Sequence, residues 1–415
     1  MAELVAKSRR KLNISFDSVR YFLVCIYFLI ALFEPYLNGV IGSVTKYYIL
    51  FLTVILLFRK RHFYFTRFQL AMMGWLLYKA ASLLWTTNLY VAGLHVFSQI
   101  GAVLLLYALT FCPEDNDKQL MQSITYTIWG GSFTISFLSI FFSRPYMGKL
   151  ASRQVLNLFG QETDPNNQAA LVLLGFSIGL YYLLIARKHR VFSLLTILVS
   201  AYSIFLTSSR GGFLGSVLII IAVILIASMD LAPKQKLKTY LIIILISAAL
   251  FLISYFFLDR EVFNRIFVFS DYEGGSGRDE IWHNAWQLLK EKAHWLYGAG
   301  WGAYWGYNNY NVMLHNTFLS ILCDTGIIGF LLLMVPIGST AWKLLRQKQF
   351  LPVLLLIAGF SASFFLEAIN KRFFWNVIFY LFMYAQYVAF YGTQHTTEVS
   401  ASDEVAADNP TEVLE

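Results

Sequence analysis

Four polar clusters interrupt a largely apolar chain, and their residue types limit the chemistry each can perform. The first, Thr207-Ser208-Ser209-Arg210-Gly211-Gly212, sets a guanidinium between hydroxyls and glycines. Glycines leave neighbouring backbone N–H groups unobstructed, which suits an anion. An arginine at the end of an apolar run also serves as a snorkelling anchor, or closes a helix together with Gly211. The second cluster, Ser276-Gly277-Arg278-Asp279-Glu280, opens an amphipathic segment. Ser276 can cap a helix there, and a guanidinium beside free N–H groups at a helix start is suited to a phosphate. The third, Leu314-His315-Asn316-Thr317-Phe318, supplies an imidazole where the chain turns apolar again. Such a histidine can take a proton near neutrality, although a lone histidine on an apolar face is more often structural. The fourth holds Glu367, Asn370, Lys371 and Arg372. No HExxH, carboxylate-rich or Cys/His group is present, so neither a metal nor another cofactor is expected.

The elements that must position these residues follow from composition. Of 415 residues, 58% are hydrophobic and only 13% charged. Soluble domains carry roughly 25% charged residues, so lipid must solvate most of this chain. Aromatics reach 17%, as suits side chains at headgroup level. About 20 apolar residues cross a bilayer as a helix. The expected fold is therefore all-α, with about a dozen spans near 19–41, 43–58, 68–86, 90–111, 119–143, 167–186, 190–207, 211–229, 238–258, 313–342, 351–370 and 372–391. The membrane domain then covers 1–392. The segment 393–415 carries six acids and no Lys or Arg, which predicts a disordered tail.

More than half of the 32 Lys and Arg fall on alternate loops, among them Arg59, Lys60, Arg61, Arg187, Lys188, Arg190, Lys343, Arg346 and Lys348. By the positive-inside rule that face and both termini are cytoplasmic, and the first helix is an uncleaved anchor. The net charge of +8 is then an orientation device, and nucleic acid is not an expected partner. All four polar clusters fall on the opposite face. Two long loops lie there, near 143–166 and 259–312, the second carrying the amphipathic helix with Trp282 and Trp286 on its apolar side. Cys25, Cys112 and Cys323 are too far apart to form a framework and read as packing residues. Lys79 is the one candidate for a deep intramembrane charge.

In order and spacing, Arg210-Gly211-Gly212, Gly277-Arg278 with Trp282, Gly298-Ala299-Gly300-Trp301-Gly302, His315-Asn316 and Asp324-Thr325-Gly326-Ile327-Ile328-Gly329 resemble the O-antigen ligase/polymerase superfamily. That family includes O-antigen ligases, repeat-unit polymerases and teichoic-acid enzymes. The resemblance spans about 19–391 and implies a GT-C-like membrane glycosyltransferase. It would move a glycan from a polyprenyl-diphosphate carrier to an acceptor hydroxyl, with inversion and without metal, on the outer face of a bacterial cytoplasmic membrane. By resemblance, Arg210 and Arg278 hold the diphosphate and His315 is the catalytic base. Glu367 matches an outer acid, either Glu367 or Asp324 would orient or charge the imidazole, and Asn166 or Asn167 matches an Asn motif before the sixth span. Trp282, Trp286 and Trp301 are expected near headgroup level, with Trp282 and Arg372 as further substrate contacts. Asp324 stands where the family often has Glu. The implied partners are a lipid-linked glycan donor, a glycolipid or glycan acceptor and membrane lipid. The late dominant loop resembles the ligases; a repeat-unit polymerase shares the motifs. A flippase or transporter is the reading from another class, but no internal repeat supports it.

Overall fold

The computed structural model describes residues 16–58, 64–147, 150–229, 234–237, 240–241, 277–305, 307 and 312–407. In chain order the long helices are α1 (Phe16–Ile41), α2 (Val44–Phe58), α3 (Arg67–Ala81), α4 (Leu89–Thr110), α5 (Lys118–Phe142), α6 (Pro165–Leu180), α7 (Arg190–Thr207), α8 (Arg210–Ala227), α9 (Arg278–Lys290), α10 (Thr317–Arg346), α11 (Phe350–Ser363) and α12 (Arg372–Ala407). Helix starts carry the caps that their orphan N–H groups require. Asp117 accepts from Leu120, Asn88 from Val91, and Thr66 pairs with Gln69 in a capping box.

Eight of these helices are long and apolar enough to cross a membrane, and α2 and α11 are shorter apolar helices. Helix α3 has 15 residues and is the least apolar of the expected spans. The expected span 238–258 lies almost wholly outside the described residues, as does the first third of the large loop with Ser276. Phe22, Leu50, Phe97, Leu198 and Val335 point outward along their helices. Large apolar side chains spread over so much outer surface need lipid as their solvent. Helix α6 sits at the centre, buried all round and packed against α5, α7, α8 and α11. A helix apolar on every side belongs in such a place.

One expectation is corrected here. The segment 143–162 is not free of strands. It forms a small antiparallel sheet of β1 (Ser143–Tyr146), β2 (Leu150–Leu158) and β3 (Gln161–Glu162), in the order β1-β2-β3. Gln168, fully buried on α6, accepts from the N–H of Leu156 and donates to Ser139, which ties the sheet to the bundle. Helix α12 runs from Arg372 to Ala407.

Contacts sort the loops into two ends. At one end Arg20 bridges Asp115 at 2.5 Å, Asn116 meets Gln386, Tyr126 meets His189 and Tyr384 meets Gln349. The basic residues Lys118, Arg187, Lys188, Arg190 and Lys348 belong to these segments. At the other end the starts of α6, α8, α9, α10 and α12 gather with the sheet.

Candidate active site

Helix starts put the polar clusters beside one another. Asp164 caps α6, its carboxylate accepting from the N–H of Asn166 at 2.8 Å and of Asn167 at 3.4 Å. The side chain of Asn166 in turn accepts from the Ser209 hydroxyl at 2.7 Å. Ser209 caps α8, whose first residue is Arg210, after Ser208 has turned through a left-handed conformation. Gly211 then lies against Phe365; a Cβ there would stand 2.8 Å from Cβ of Phe365. Arg278, first residue of α9, reaches the same place. Its Nη2 donates to the Phe365 carbonyl at 3.2 Å, with the guanidinium 5.9 Å from the Phe365 ring centre. The α8 start and the Arg278 side chain therefore meet on one residue of the α11–α12 turn.

His315 completes this group. It precedes Asn316, whose side chain caps α10 by accepting from Phe318 and Leu319. Its backbone is left-handed, φ +48, a conformation that histidine adopts more readily than most non-glycine residues. Burial lowers the His315 pKa below its usual 6.5, the Arg278 charge lowers it further, and Asp164 opposes both. So at pH 7 the imidazole is neutral and able to accept a proton. Among the described residues no hydrogen bond ties that ring.

Helix starts carry partial positive charge, and a cation at one costs about 0.3–1 kcal/mol. Arg210 and Arg278 both occupy first helical positions, against that preference, as Lys118 and Arg190 do at the other end. Here Arg153 on β2 adds a third guanidinium, its Nε donating to the Thr207 carbonyl at 3.4 Å, so three cations gather beside the starts of α6, α8 and α9.

The other expected residues fall around this group. Trp282 is half-buried, and its indole N–H donates to the Leu314 carbonyl at 3.0 Å, fixing the strand just before His315. Trp286 is exposed, whereas Trp301 is buried, with the Lys79 ammonium 4.7 Å from its ring centre. Lys79 is not an isolated charge: it pairs with Asp324 at 2.9 Å. Asp324 also accepts from the N–H of Gly302 at 2.9 Å. Opposite it, Gly298 (φ +85) and Gly326 (φ +61) pass so close that a Cβ on either would collide with backbone. The two glycine motifs are thus one packed joint.

Glu367 is half-buried and meets the other side of the 312–316 strand. Its oxygens accept from the Leu314 N–H at 3.2 Å and the Ser320 hydroxyl at 3.4 Å. It makes no hydrogen bond to His315. Burial, then the Asp324 charge, push the Glu367 pKa up to about 7. Thr317 holds the same turn, donating to the Leu366 carbonyl and accepting from the Ala368 N–H, each at 2.7 Å. Arg372 is buried and bonds Glu34 at 3.3 Å. With Asn167, Asp164 and Lys371 it lines a separate polar cavity of about 270 Å³. Of the amphipathic-helix histidines, His283 is exposed, while His294 is half-buried and bonded to the Leu288 carbonyl.

Asp164 and Phe365 carry much of this geometry without having been singled out by sequence. Asp164 followed by Pro165 was a readable helix start. Phe365 works through its carbonyl and its neighbour's missing Cβ, which no residue type announces.

Apolar outer surfaces and eight helices long and apolar enough to span define a polytopic membrane protein. Residues 194–334, about a third of the chain, match the family described as O-antigen ligase, which supports a place in the O-antigen ligase-like superfamily. The matched stretch includes Arg210, Arg278, His315 and Asp324. The matched family is one of ligase- or polymerase-type glycosyltransferases that use lipid-linked glycan in the bacterial inner membrane. No curated protein matches the chain.

Proposed function

We propose that this chain transfers a glycan from a polyprenyl-diphosphate carrier to an acceptor hydroxyl at the outer face of the cytoplasmic membrane, as a ligase onto a lipid anchor. The observation that carries this is the meeting of the α8 start and Arg278 on Phe365, beside a neutral His315. Arg210 and Arg278 hold the diphosphate, with their fixed charge doing what a divalent cation does in other transferases. The acceptor oxygen attacks the anomeric carbon while its proton passes to the His315 imidazole. The bond from that carbon to the diphosphate oxygen breaks, and its electron pair leaves with the lipid diphosphate. Attack opposite the leaving group inverts the anomeric configuration. Glu367 and Trp282 position the base through the two backbone groups of Leu314. Asn166 sets the α8 start through Ser209, while Asn167 and Arg372 support the sheet side of the site. Twelve spans with both termini inside complete the arrangement, and the basic end of the bundle supports that orientation.

The test is product analysis with purified protein, lipid-diphosphate-linked glycan and a lipid acceptor, in the presence of a chelator. One discrete product that requires the lipid acceptor supports the ligase. A ladder growing from donor alone makes the enzyme a repeat-unit polymerase. No release of polyprenyl diphosphate in either case removes the transferase reading and favours a transporter.

A further inference from the structure

A second cavity, of about 200 Å³, is bounded in part by Val312, Met313 and Leu314, the segment that leads into His315. Its wall also includes Tyr90, His95, Gln99, Trp305, Glu367 and Asn370. We propose that this cavity binds one pyranose ring of a saccharide substrate, next to the transfer site. The inference rests on the transferase reading and adds a location and a ligand chemistry to it.

Charge excludes an anion as the occupant. Among the described residues no Lys or Arg lines the cavity, and the nearby Lys79 is already paired with Asp324. A neutral, polar ligand fits instead. Gln99 is fully buried; its Nε2 donates to Asn370 at 2.8 Å while its Oε1 has no partner among the described residues. A buried acceptor left unpaired is costly, and a ligand hydroxyl would satisfy it. Glu367 offers further acceptor capacity on the facing wall, since its two hydrogen bonds use only part of what a carboxyl group provides.

The aromatic lining supplies the other half of sugar recognition. Trp305 is half-buried and Tyr90 is exposed. A pyranose presents apolar C–H faces to rings of this kind and hydroxyls around its rim, so rings and amides on one small cavity match both parts. Drug-sized ligands occupy pockets of roughly 300–1,000 Å³, so this cavity takes a single ring and not an oligosaccharide. That ring belongs either to the acceptor or to the donor glycan.

Trp305 is the residue to vary, because Asn88 holds only its backbone carbonyl, at 2.7 Å, and a side-chain change leaves that bond in place. Full-length protein in nanodiscs is assayed with donor and acceptor varied separately. Trp305→Ala raises the KM of one saccharide substrate about tenfold with kcat within about twofold, and Trp305→Phe restores most of the loss. A raised acceptor KM assigns the ring to the acceptor, and a raised donor KM assigns it to the donor. If the wild type transfers and neither KM moves, the cavity is not a sugar site and the transferase reading stands. A second readout needs no turnover: tryptophan emission is followed while methyl glucoside, N-acetylglucosamine and rhamnose are titrated. A saturable change that Trp305→Phe and Gln99→Met abolish supports the site, even if transfer fails in every condition. Where transfer fails in every condition, no saturable change with any of the three sugars overturns it.

Discussion

Replacing Asp324 with Asn isolates the most deeply buried charge in the bundle. Lys79 is 1% exposed and its ammonium lies 2.9 Å from the Asp324 carboxylate. Breaking one partner of a buried pair costs about 3–5 kcal/mol, because the other charge stays desolvated. The Trp301 and Trp75 rings, 4.7 and 5.5 Å from the ammonium, return part of this as cation–π attraction of about 1–2 kcal/mol. Asparagine keeps the acceptor for the Gly302 N–H, so that hydrogen bond is not lost. The net expectation for Asp324→Asn is a loss of about 1–4 kcal/mol. The measurement is thermal unfolding in detergent for wild type, Asp324→Asn, Lys79→Met and the double variant. Once both charges are gone nothing is left unpaired, so the double variant recovers more than half of the loss in midpoint. Full wild-type stability in Asp324→Asn refutes the reasoning, as do losses that simply add in the double variant.

Three further outcomes follow from the same geometry. The base must be deprotonated to act, and the His315 pKa is lowered, so kcat/KM falls only below about pH 6.5; Asp164→Asn keeps the helix cap, removes the charge that raises this pKa, and moves the acid limb lower still. Gly211→Ala pushes on Phe365 and so displaces the carbonyl that holds Arg278; the donor KM rises about tenfold while the protein still purifies folded, as donor titration will show. Glu367 ionises near pH 7 when folded and near 4.5 when unfolded, so the unfolded chain binds fewer protons in between and stability declines as pH rises through that window. Glu367→Gln escapes this: it matches wild type at pH 4.5 and is about 1–2 kcal/mol more stable at pH 8, the figure being reduced because the group is half exposed.

Much of this site was legible because its parts are local. Arg210 after two serines, Arg278 after a glycine and His315 before Asn316 are each helix-start signals, and periodicity located the helices that they begin. What joins them was not legible. Phe365 meets Gly211 and Arg278 from far along the chain, through a backbone carbonyl and a missing Cβ. Lys79 and Asp324 are equally remote, so sequence showed a costly lysine and a motif acid but not their pairing. Of the strands at 143–162, β1 and β3 are only four and two residues long, and β2 lacks the sustained apolar–polar alternation that marks a strand. Glu367 was expected beside the imidazole, yet the turn aims it at the Leu314 N–H, a choice set by Thr317 and not by the residue itself.

The central claim is that Arg210, Arg278 and His315 form one transfer site. The direct measurement is the initial rate of polyprenyl diphosphate release by purified protein with donor and acceptor, in excess chelator. Wild type is compared with Arg210→Ala, Arg278→Ala and His315→Ala. The account predicts turnover by wild type without metal and a loss of about 100-fold or more in each variant, with folding retained. Undiminished release by any of the three, or wild-type release only after metal is restored, contradicts it.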